Sequence, residues 1–140
     1  MSVDREVVNL RLSRIENCLG QLEPFSAMSE MAFLARYDRY HEAKYILATA
    51  LNAVAQISRH LQRALGERND DPMGDLVKAG ILENDLADRL RRQLRLLGTL
   101  AKAHFDEDRD ILYQIITEEL PDLAQFAREV TAWMDRSAGE

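Results

Sequence analysis

Between Arg89 and Lys102 the chain carries five basic residues, Arg89, Arg91, Arg92, Arg95 and Lys102, and no acid, and His104 follows two positions later. An imidazole titrates near neutrality and can move a proton without help from a metal. A guanidinium presents a fork of donors that suits a phosphate. On a helix Arg92, Arg95, Thr99 and Lys102 follow steps of three, four and three, so they share one face. Such a face has two plain readings: a solvated surface whose charges offset neighbouring acids, or a phosphate-binding patch built from Arg91, Arg92 and Arg95. His104 also continues an apolar stripe, which suits a core or interface histidine.

The other reactive residue types are isolated. His41, His60 and His104 lie far apart and lack zinc-ligand spacing. The run Asp106–Asp110 resembles a calcium loop only superficially. Ile111 stands where such a loop needs glycine, and Thr117 where it needs a closing glutamate. It reads instead as an acidic hinge that caps a helix. The single cysteine, Cys18, has no partner for an internal disulfide and borders an apolar stripe, as a small buried hydrophobe would. No glycine-rich phosphate loop and no G-x-S-x-G turn is present. No metal or cofactor is expected.

The elements that position these residues are helical. The chain has 140 residues, enough for one domain, residues 1–140, with its core over about 5–134. Apolar residues make up 46% and charged ones 30%, which is ordinary for a folded protein, and six glycines with three prolines leave little material for strand turns. The net charge of −6 disfavours a dedicated nucleic-acid binder but leaves room for a local basic patch. No apolar run approaches the ~20 residues of a membrane span, and the first residues do not read as a signal peptide. A cytoplasmic protein is expected.

Val8, Leu12, Ile15, Leu19 and Leu22 alternate by four and three, predicting a helix from about Asp4 to Glu23 that Pro24 closes. A short turn follows Ser29. Asp38 is placed to cap a long helix ending at Leu65 and Gly66. Met73 to Ala79 forms a short helix stopped by Gly80, and another helix runs from about Glu83 to Ala103. The last spans Asp110 to about Met134, with a kink at Pro121. The fold class is all-α: an antiparallel bundle of four main helices plus one or two short ones.

In order and spacing these segments resemble the HepT-like family of the HEPN superfamily. The pieces that carry the resemblance are Arg11-Leu12-Ser13-Arg14-Ile15-Glu16, Gln56-Ile57-Ser58-Arg59-His60-Leu61 and Leu76-Val77-Lys78-Ala79-Gly80-Ile81-Leu82. Leu86-Ala87-Asp88-Arg89-Leu90, His104, Ile111-Leu112-Tyr113 and Leu120-Pro121-Asp122-Leu123 complete it. The resemblance implies an all-helical homodimer and a metal-independent endoribonuclease toxin, paired with a minimal nucleotidyltransferase antitoxin. It also implies a signature of an arginine, four to six residues, a histidine, one residue and a tyrosine. The histidine serves there as general acid or base for attack by the RNA 2′-hydroxyl, the arginine steadies phosphate charge, and the tyrosine accepts a nucleotide.

His104 matches that histidine, but the rest of the signature has changed. Leu97, Gly98 and Thr99 occupy the arginine's possible positions, Leu100 replaces the polar residue that follows it, and Asp106 stands for the tyrosine. Tyr113 lies nine residues after His104, too far to replace it. Asn52 and Gln56 stand where relatives carry acids. Two functions therefore compete. One is a ribonuclease toxin with a rearranged site, in which His104 keeps its role and Arg95 or Lys102 supplies the cation. The other is a helical binding module without cleavage that dimerises and engages a nucleotidyltransferase.

Overall fold

The apolar stripe of the first segment becomes helix α1, Arg5–Ser26, which buries Val8, Leu12, Ile15, Cys18, Leu22 and Phe25. The computed structural model describes residues 3–100 and 105–138, and for residues 37, 99, 100 and 105–108 it describes the backbone alone. Asp4 caps α1, its Oδ1 accepting from Val7 N at 3.2 Å. Cys18 lies within the buried stripe rather than at its border, while Leu19 is half-buried. The helix does not stop at Pro24 as expected; it continues two residues beyond it. A proline this near the end removes only the bond to the carbonyl of Gly20, an exposed residue that water can reach. The burial of Phe25, edge-on to Phe33 with centroids 5.9 Å apart, holds the last turn.

Ser29 caps the short helix α2, Glu30–Leu34, accepting from Ala32 N at 3.1 Å. The long α3, Tyr37–Ala64, begins one residue before Asp38. Asp38 therefore lies inside the first turn and does not cap it; its carboxylate pairs instead with Arg36 at 2.6 Å. The stripe Tyr40, Leu47, Leu51, Val54, Ile57 and Leu61 is fully buried, with Ala43, Ala50 and Ala53 beside it allowing the close approach of α1. Gly66, at φ +82°, turns the chain out of α3, a conformation that costs a side-chain-bearing residue. Helix α4, Pro72–Lys78, has Asp71 as its cap and Pro72 in its first turn. Gly80, at φ +78°, turns the chain just after it.

Helix α5, Asn84–Leu100, runs antiparallel to the last helix, α7, Leu120–Ala138. The cross-links give the direction: Glu83 N meets Glu129, Arg89 meets Asp122, and Gln93 meets the carbonyl of Glu119. Likewise Asp4, at the start of α1, donates its N–H to His60 Nε2 near the end of α3 at 3.0 Å, so α1 and α3 are antiparallel. His60 is thereby a structural acceptor.

Two expectations about the C-terminal third are corrected. The acidic run is not a hinge: residues 105–114 form a helix, α6, Phe105–Gln114. Acidic residue types suit a first helical turn as well as a cap, so composition alone did not distinguish the two. Nor is the feature at Pro121 a plain kink. The five residues Ile115–Glu119 form a π turn joining α6 to α7, and Pro121 sits at the second position of α7. Widening the coil just before a proline gives its ring and missing donor room. The π turn still buries Ile115 and Ile116. Among the described residues there is no strand, and no helix is long and apolar enough to cross a membrane.

Candidate functional site

Helix α5 carries the four arginines of the basic run, and they divide by what they touch. Arg89 Nε lies 2.9 Å from Asp122 Oδ1 on α7. Arg92 pairs with Glu119 of the π turn. Between them Gln93 is fully buried, its Nε2 donating to Asp122 Oδ2 at 3.3 Å and to the carbonyl of Glu119 at 3.4 Å. Arg91 points to the other flank, where it pairs with Asp71 at 3.1 Å and Asp88 at 2.6 Å. These three guanidinium groups tie α5 to its neighbours, as the solvated-face reading required.

Arg95 differs. It is exposed, and among the described residues it has no ion-pair or hydrogen-bond partner. Four residues on, ~6 Å of rise, the helix reaches Thr99, the last of the positions at which the signature arginine would fall. Arg95 and Thr99 share a face of α5, as their spacing predicts. Lys102 and His104 lie outside the described residues, and so does their part of the predicted face. The backbone of α6 begins at Phe105, directly after His104, so Asp106 belongs to its first turn.

Other candidates are accounted for structurally. The Tyr113 hydroxyl donates to the carbonyl of Met28 at 2.7 Å and its ring lies 5.6 Å from that of Phe33, locking α6 to the α1–α2 turn. Cys18 is 5% exposed, and burial pushes its thiol up from the ordinary range, against a smaller opposing pull from Arg14. The thiol therefore stays protonated and unreactive. His41 is exposed and packs edge-on against Tyr40 at 5.3 Å. Asn52 and Gln56 are both exposed on α3.

The sequence reading missed Gln93. A glutamine in an otherwise apolar and basic helix gives no sign of burial by type, yet the steps of four, three and four from Leu86 to Leu90, Gln93 and Leu97 trace one inward stripe. Its Oε1 is buried without a hydrogen-bond partner among the described residues.

The family model described as Ribonuclease HepT-like matches residues 15–130 of the chain. No curated protein matches. Among solved structures, one described as a toxin–antitoxin with AMP-PNP superposes with a TM-score of 0.82 at 16% identity, covering 91% of this chain and 99% of that one. A tyrosine-to-alanine mutant of the toxin–antitoxin MntA-HpeT gives 0.80 at 16%, with 91% and 99% covered. A mutant of the same pair with two aspartates changed to glutamate gives 0.81 at 17%, again with 91% and 99% covered. At such identities the likeness is one of fold.

Proposed function

The chain belongs to the Ribonuclease HepT-like family, and from that premise we propose that it is the toxin of a toxin–antitoxin pair, cutting RNA at a site built from His104, Arg95 and Lys102. The observation that supports this reading is the state of Arg95: exposed, without a carboxylate partner among the described residues, and one turn from Thr99 on the same face. The Arg95 Cα stands one turn before the position the signature arginine would have occupied, beneath the surface that arginine's side chain would have covered.

The chemistry asks little beyond these groups. His104 takes the proton of a ribose 2′-hydroxyl, and O2′ forms a bond to the adjacent phosphorus. The bond from phosphorus to O5′ breaks, and that oxygen takes the proton from the His104 imidazolium to leave as a 5′-hydroxyl, beside a 2′,3′-cyclic phosphate. Arg95, with Lys102, offsets the charge that gathers on the phosphoryl oxygens. Arg91 and Arg92, already paired with carboxylates, add less to a phosphate than their number suggests.

The partners that follow are a second copy of this chain and a minimal nucleotidyltransferase antitoxin. The solved relatives described as toxin–antitoxin support the second of these. A second reading has its own observation: Asp106 stands where the signature tyrosine would be, and its charge would repel a phosphate. In that reading the chain is a binding module that holds its partner and leaves RNA intact.

The test is purified protein incubated with RNA in EDTA, wild type beside His104→Ala. Cleavage by the first and a loss of about a hundredfold or more in the second is the expected result for a general acid–base residue. Equal inactivity of both, with a stable complex with a minimal nucleotidyltransferase, would leave the binding module.

A further inference from the structure

Away from α5, the end of α3 and the loop after it enclose a concavity of about 540 Å³ whose wall includes Arg59, Arg63 and Arg68. Arg59 and Arg63 are four apart on α3, so they stand on one face with ~6 Å of rise between them. Arg68 comes from the loop that Gly66 turns back toward them. All three are exposed, and among the described residues none of their guanidinium groups makes an ion pair or a hydrogen bond. Glu67 and Asp70 also line the concavity, yet neither is paired with any of the three. On a chain of net charge −6, three uncommitted guanidinium groups around one hollow are a local reversal of sign.

The hollow is held in shape by a polar network centred on Gln62 and Asp75, both buried. Gln62 Nε2 donates to Asp75 Oδ2 at 2.9 Å and to the carbonyl of Asn69 at 3.0 Å, and Asn69 Nδ2 donates to Asp75 Oδ1 at 3.2 Å. Asn69 Oδ1 in turn accepts from Asp71 N at 2.8 Å. The loop that carries Arg68 is thus fixed by side chains from α3 and α4. A fixed loop spares a ligand the entropy of ordering it.

We propose that this concavity binds phosphate groups, and that its occupant is a single-stranded RNA backbone held outside the cleaving site. Arginine forks match phosphate oxygens in pairs, and three of them suit successive phosphates better than one carboxylate. The position also suits a strand. Asp71, next to the lining residues Asp70 and Pro72, pairs with Arg91 of α5, and Arg95 lies one turn further along that helix. A free nucleotide offers the same phosphate chemistry and is the second source to test. The proposal stands whether or not the chain cuts RNA.

The experiment is fluorescence anisotropy with the full chain and a short 2′-O-methyl RNA, whose 2′-oxygen cannot attack, alongside ATP as a competing probe. Arg59→Ala, Arg63→Ala and Arg68→Ala combined are expected to weaken RNA binding about tenfold or more and to flatten its salt dependence by roughly two of the units expected for three lost phosphate contacts. A control lacking Arg5, Arg14 and Arg128 should bind as wild type does. Binding of ATP alone, lost in the same triple variant, would support the site and assign it to a nucleotide. Wild type that binds neither probe, a triple variant that binds as tightly as wild type, or an equal loss in the control would overturn it. Because the RNA cannot be cut, a failed cleavage assay leaves this result untouched.

Discussion

Asp71 and Arg91, 20 residues apart in sequence, are joined by a two-pronged ion pair: Arg91 Nη2 lies 3.1 Å from both carboxylate oxygens, and Nε 3.2 Å from Oδ1. The same carboxylate accepts from Gly74 N at 3.2 Å, capping α4. One side chain therefore closes a helix start and ties it to α5. Asp71→Ala should remove the cap and the tie together, costing about 1 to 2 kcal/mol in urea unfolding. Arg91→Ala should cost less, under about 1 kcal/mol, because the cap survives.

Gly74 sharpens the same point. Alanine is the better helix former by about 1 kcal/mol, so propensity alone favours Gly74→Ala. A Cβ there would lie 2.1 Å from Asp71 Oδ2 and 3.2 Å from the Arg91 guanidinium. The carboxylate must then swing away from both partners. The expected melting temperature of Gly74→Ala is no higher than that of the wild type; a clear rise would show the cap and the tie to be worth little.

Acid should weaken the loop beneath the tri-arginine hollow. Hydrogen bonds from Gln62, and then Asn69, hold the Asp75 carboxyl below its ordinary range, against an opposing effect of burial. A carboxyl with a lowered folded pKa stabilises the fold above its unfolded value, near 3.9, and loses that contribution as pH falls through the folded one. The stability gap between wild type and Asp75→Asn should therefore be full at pH 7 and shrink steadily below about pH 5. A gap that stays constant down to pH 3 would remove Asp75 from this role.

The burial of Cys18 makes a simpler prediction. At 5% exposure, with its thiol pushed up by burial, it should resist a thiol reagent in the native protein and react at once in denaturant. Cys18→Ser places a hydroxyl among apolar side chains and should cost about 1 to 3 kcal/mol in urea unfolding.

Periodicity carried the fold because burial repeats with the helix. The stripes of α1, α3 and α7 were legible from Val8, Leu47 and Phe126 outward, and both stop glycines fell where expected. What sequence alone misjudged were boundaries at which two local rules compete. Pro24 and Pro121 both look like interruptions in the sequence. Near a helix end the first lost only one bond, and at the second the chain widened into a π turn. The site was legible in its residue types but not in its pairings. Arg89, Arg91, Arg92 and Arg95 are the same residue on one helix, and only the placement of Asp122, Asp71 and Glu119 on other elements separates the three that are tied from the one that is not.

That separation gives the sharpest prediction about function. If Arg95 supplies the lost cation, Arg95→Ala should lower RNA cleavage by about a hundredfold, chiefly in kcat, because the charge it offsets is largest in the transition state. Arg95→Lys keeps the charge but loses the fork, and should restore part of the rate. Arg92→Ala breaks the link to Glu119 and should lower the melting temperature while leaving kcat within a few fold. The measurement is single-turnover cleavage in EDTA with each variant, beside its thermal melt. Should Arg92→Ala and Arg95→Ala lose activity equally, the distinction drawn from their pairing fails, and the cation at the reaction centre must be sought elsewhere.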